Sequence, residues 1–179
     1  MNATRRERLL LAVVPLALGA GCTIGQMTQE KRATAQMEAK SGSTITGAAT
    51  FVPSGTSVTL ELVVAGASPG PHGVHLHATG DCSDPNGASA GGHWNPGMAN
   101  HGLPAATMHH LGDCGNFEAA ADGTGKLTCV GSWSIGTGDM TDIVGKAIII
   151  HANVDDGVSQ QPTPGNAGAR QACGVIVAQ

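Results

Sequence analysis

Tyrosine is absent from this 179-residue chain, and Phe51, Phe117, Trp94 and Trp133 are its only aromatic residues. A core with so little ring volume has to be filled by Val, Ile, Leu and Ala. Positive charge is nearly as scarce. Over 41–179 the basic residues are Lys126, Lys146 and Arg170 against ten carboxylates, a net of −7. A chain this acidic, without a basic stripe, is not a nucleic-acid binder. Cys-x-x-Cys pairs are lacking too. What the chain has in quantity is glycine, 27 residues with no collagen-like period, which suits many turns and tightly folded loops.

The one long apolar run, 9–20, follows Arg5, Arg6 and Arg8 and is too short to span a bilayer. It reads as an export signal over 1–21. Leu18-Gly19-Ala20-Gly21-Cys22 resembles a bacterial lipoprotein cleavage site, with its leucine displaced by one place. Lipidation of Cys22 and simple cleavage after Ala20 or Gly21 both stay open. Residues 22–40 are polar, without apolar periodicity, and read as a flexible tether. The remaining 41–179 is long enough for one domain with a real core.

Within that domain, period-two patterns predict strands over 43–52, 57–64, 72–77, 116–120, 126–133, 143–151 and 174–178. Short strands, Gly/Pro turns and no helical stretch imply an all-β antiparallel sandwich or barrel. Two irregular segments, 78–113 and 152–172, are long enough to need a function or a constraint. The segments 116–120 and 126–133 read as a hairpin around Asp122-Gly123, with Cys114 and Cys129 set symmetrically about it. A cross-strand disulfide between these cysteines is expected.

The histidines carry the chemistry. His75 and His77 alternate along one strand, so both face one side while Val74 and Leu76 face the core. His93, His101, His110, Asp113 and His151 follow at wider intervals. Neutral imidazole suits copper and zinc, and six of the eight histidines with one carboxylate form a metal-binding inventory. His72 has the opposite strand parity and is read as a buried, backbone-bonded ring. His109 is left outside the set.

The blocks HGVHLHATGDC (72–82), GGHWNP (91–96), NHG (100–102), HHLGDCGN (109–116), IIIHANVDD (148–156) and GNAGARQACGVI (165–176) resemble the copper/zinc superoxide dismutases in order and chemistry. The resemblance covers 42–179. It implies an immunoglobulin-like Greek-key barrel with two long functional loops. It further implies one copper on His75, His77, His93 and His151, and one zinc on His93, His101, His110 and Asp113. His93 would bridge the two metals, and Asp155 would tie a copper ligand to a zinc ligand. Arg170 would stand beside the copper channel, and Cys82 would pair with Cys173. With Cys114 and Cys129 paired as well, Cys22 is left over to carry lipid.

The expected activity is conversion of superoxide to dioxygen and hydrogen peroxide by an exported enzyme at the cell envelope, catalysed through Arg170 and His93. The competing reading is a copper- and zinc-buffering lipoprotein without activity. The membrane enters only through a lipid on Cys22, and both a monomer and a homodimer remain open.

Overall fold

Ser57–Ala65 turns Val58, Leu60, Leu62 and Val64 inward and its other side chains outward, the pattern that fixes a half-buried strand. A computed structural model describes residues 31–179, and in it this pattern builds nine strands. They are β1 (Ala33–Ala39), β2 (Thr46–Ser54), β3 (Ser57–Ala65), β4 (Gly70–His77), β5 (Asp113–Ala119), β6 (Gly125–Gly131), β7 (Ala147–His151), β8 (Arg170–Val175) and β9 (Val177–Ala178). Helix among the described residues is confined to 3-10 turns at Ala88–Ala90 and Pro164–Asn166.

The order β5-β4-β7-β8-β1-β2-β3-β6 is antiparallel throughout, with β9 paired to β1. The connections from β3 to β4 and from β6 to β7 cross over, giving the Greek-key barrel expected. Its core is aliphatic, with Ile45, Leu60, Leu62, Leu76, Ile143, Ile148, Ile150 and Ile176 buried around Phe51. His72 belongs to this interior. It is 1% exposed, stacks on Phe117, and hydrogen-bonds the carbonyls of His151 and Ser68 at 2.7 and 2.8 Å.

Two expectations need correction. Residues 33–39 of the expected tether are β1, which pairs with β2, β8 and β9 at the centre of the sheet order. Its inward residues Ala33, Ala35 and Met37 are small or weakly apolar, so the alternation was too faint to stand out against Gln36 and Glu38. The signal over 1–21 and Cys22 lie outside the described residues.

The second correction concerns Cys114 and Cys129, which are buried thiols rather than a disulfide. The turn at Asp122-Gly123 forms, but β5 pairs with β4 and β6 with β3, so no ladder joins the two strands. The two sulfurs nonetheless meet where β5 and β6 face each other, and both remain thiols. Contact with the Cys129 sulfur, together with burial, pushes the Cys114 thiol well up.

Candidate metal centre

Strand parity sets the first ligands. β4 sends Val74 and Leu76 into the core and His75 and His77 to the opposite side, beside His151 at the end of β7. A register irregularity between Gly73 and His75 sets His75 opposite Asp113 on β5. The long loop after β4 is pinned back onto that strand. His93 bridges to His77, Trp94 donates to the Leu76 carbonyl at 2.8 Å, and Gly112 donates to Trp94 at 2.9 Å. Gly112 has to be glycine, because a Cβ there would collide with the Leu76 carbonyl.

This brings all seven candidate ligands together. His75, His77, His93 and His151 form one group whose ring nitrogens lie within 4.8 Å of one another, and His75, His93, His101 and Asp113 form a second. His110 joins the second side, with Nδ1 3.3 Å from Asp113 Oδ1 and 3.4 Å from His93 Nδ1. The His93 ring is central, with centroid distances from 3.9 Å to His75 up to 6.1 Å to His151. Its Nδ1 lies 3.1 Å from Asp113 Oδ1. His109 stays outside, with Nδ1 donating to the His110 carbonyl at 2.7 Å.

The hydrogen bonds settle which nitrogens remain bare. His77 Nδ1 donates to the Gly91 carbonyl at 2.9 Å and His151 Nδ1 to that of Gly168 at 3.1 Å. His75 Nε2 and His101 Nε2 donate to the two oxygens of Asp155 at 2.7 and 2.8 Å. The other nitrogens turn inward: His75 Nδ1, His77 Nε2 and His151 Nε2 are buried and have no hydrogen-bond partner, while His101 Nδ1 lies 3.0 Å from Asp113 Oδ2. An unsatisfied buried polar atom costs about 1–3 kcal/mol. The three, which belong to one group of ligand atoms, fit a metal ion that takes the lone pairs no donor meets.

Electrostatics divide the centre into two halves. Burial lowers His151 to about 3 and His93 to about 4, and takes His77 well below its ordinary value. His101 goes the other way. Burial opposes its charged form, but Asp113 and Asp155 outweigh that and raise it to about 9. Burial would also raise Asp113, yet hydrogen bonds from His101, His110 and His93 hold it far below the usual carboxylate range. Asp155 is held down likewise by His101 and His75.

Arg170, at the start of β8, donates to the carbonyls of Gly87 and Gly91, both at 2.6 Å. It shares with His77, His93 and His151 the wall of a cavity of about 280 Å³. The Cys82–Cys173 disulfide ties the loop carrying those carbonyls to β8. Sequence reasoning missed Asn116. Its carboxamide grips the Asp155 backbone in both directions, at 2.7 and 3.0 Å, and no motif announces an amide in that role.

Comparisons with known proteins agree with this geometry. Residues 45–176 match the copper/zinc superoxide dismutase (SODC) family. Superoxide dismutase [Cu-Zn] 2 of Mesembryanthemum crystallinum is 40% identical over 138 residues, covering 74% of this chain and 86% of that protein. The extracellular superoxide dismutase [Cu-Zn] of Haemonchus contortus is 43% identical over 131 residues, 70% of each chain. The enzyme of that name from Caenorhabditis elegans is 41% identical over 135 residues, 73% of this chain and 60% of its own. A solved structure, the clock protein EA4, superposes with a TM-score of 0.73 at 34% identity, covering 84% of this chain and 96% of that one. The chain belongs to the copper/zinc superoxide dismutase family. It is an enzyme of that family, with copper and zinc as its cofactors.

Proposed function

We propose that this chain is an exported superoxide dismutase protecting the cell envelope. His75, His77, His93 and His151 hold copper, His93, His101, His110 and Asp113 hold zinc, and His93 is shared. One observation carries this reading: the His93 ring stands between both groups of ligands, its Nδ1 committed to the Asp113 side. The shared assignment leaves Nε2 for the copper side.

Copper, when bound, supplies a one-electron couple, while three imidazoles and a carboxylate give zinc a closed, structural shell. The protein does the rest. The Arg170 guanidinium faces the same cavity as the histidines and attracts a small anion to them. Its two carbonyl bonds hold it still, so no orientation is lost on each encounter. His93 Nε2 is the atom suited to take up a proton and give it to the reduced substrate, since Nδ1 stays on the zinc side. Two superoxide ions and two protons yield one dioxygen and one hydrogen peroxide. Asp155 holds His75 in the tautomer that leaves Nδ1 bare and turns His101 Nδ1 toward Asp113.

Export rests on the signal over 1–21, with Cys22 as the lipid anchor, and an oxidising compartment suits the Cys82–Cys173 disulfide. Metal analysis with a superoxide-consumption assay tests the enzyme. About one copper and one zinc per chain with activity is the expected result; bound copper without activity would establish the buffering role instead. Detergent-phase partition that is lost in Cys22→Ser tests the anchor.

A further inference from the structure

Gln160 lies in the segment leading into β8, and its side chain reaches back onto the loop that carries His101. Its Oε1 accepts the His101 N–H at 2.9 Å, and its Nε2 donates to the His101 carbonyl at 3.2 Å and to the Val158 carbonyl at 2.9 Å. One carboxamide thus satisfies both backbone polar groups of His101, as an adjoining strand would. His101 is 3% exposed, so those groups would otherwise have to admit water into the metal centre.

The His101 side chain is held at the same time by Asp155, whose own backbone is gripped by Asn116. The His101–Asp155 contact therefore has an amide side chain fastened to the backbone at each end. The segment bearing Gln160 packs on this contact again at Gly165, where a Cβ would come 2.8 Å from His101 Nε2. Gln161, Pro162 and Thr163, which follow Gln160 directly, line the cavity that Arg170 shares.

We propose that Gln160 is a positioning residue for the zinc half of the centre: its two-way grip on His101 ties zinc retention to the rim of the substrate cavity. The proposal rests on the assignment of His101 to zinc made above.

The test uses the full chain loaded with its metals and two variants. Gln160→Met keeps the length and loses every hydrogen bond; Gln160→Glu keeps the acceptor for the His101 N–H and loses the donors. Competition with a zinc chelator should show zinc held about tenfold more weakly in Gln160→Met, with Gln160→Glu restoring part of the loss. Cobalt(II) in the zinc position should give a visible spectrum in Gln160→Met that departs from the parent's. Parental zinc affinity and a parental cobalt spectrum in both variants would overturn the proposal, whatever happens to their melting temperatures. A parent protein that takes up no zinc would overturn the metal assignment and the clamp together, which keeps the two failures apart.

Discussion

Asp155 Oδ1 lies 2.8 Å from His101 Nε2, and neither side chain is exposed to solvent. The other oxygen of the same carboxylate takes His75 Nε2 at 2.7 Å, so one buried group orients a ring on each half of the centre. Asp155→Asn would present an amide N–H to one of two ring N–H donors. The expected outcome is a 10–100-fold weaker hold on metal, read by chelator competition. Parental affinity in that variant would mean that the rings orient themselves.

The metal-free protein should load its two halves with different proton counts. At pH 7 His101, with a pKa of about 9, carries a proton that zinc has to displace. His93 at about 4 and His151 at about 3 are already neutral. Loading both metals should release about two protons, one from His101 and one from the His93 ring as both its nitrogens are taken, while His151 releases none, as measured by calorimetry in buffers of different ionisation enthalpy. Stability follows the same signs. The raised His101 contributes below its ordinary value of 6.5, and that contribution is lost as pH rises through about 9. The depressed His93 and His151 contribute above 6.5, and theirs is lost as pH falls through about 4 and 3. The melting temperature of the metal-free protein should therefore peak between these limits, and a monotonic rise from acid to pH 10 would contradict the charge of His101.

Arg170→Ala should slow superoxide consumption by about tenfold or more while leaving the metal content unchanged. Arg170→Lys should recover only part, because the ammonium cannot span the carbonyls of Gly87 and Gly91 as the guanidinium does. Over 31–179 the other cations are Lys31, Arg32, Lys40, Lys126 and Lys146 against eleven carboxylates, a net of −5 with Arg170, so long-range steering is weak. The parent's bimolecular rate should fall only gently as salt is added. A steep fall would point to an attractive field that these residues do not supply.

The Cys82–Cys173 disulfide closes a loop of 91 residues. Replacing both cysteines by serine should cost about 4–5 kcal/mol on chain-entropy grounds, read by denaturant unfolding. Activity should fall as well, because the bond tethers to β8 the loop whose carbonyls hold Arg170. Full activity with lowered stability would separate the tether from the cavity.

Much of the barrel was legible because burial on one face imprints a period of two: 57–64 and 72–77 read as strands, and both are. β1 was not legible, since Ala33, Ala35 and Met37 contrast too little with their neighbours. The pairing of Cys114 with Cys129 failed for another reason. Symmetry about the turn does bring the two sulfurs into contact, but β5 and β6 each pair elsewhere and the structure holds both cysteines as thiols. Asn116 and Gln160 act through the backbones of Asp155 and His101, residues 39 and 59 positions away, and no local pattern encodes such a partner.

By itself the sequence determined the chemistry. Residue types and their order fix which atoms can bind metal, and strand parity fixes that His75 and His77 share a side. Only the tertiary structure decided which nitrogen of each ring is left bare, because that depends on carbonyls and a carboxylate brought in from distant segments. It also decided that His101 is driven toward its charged form, since two buried carboxylates, Asp113 and Asp155, converge on it.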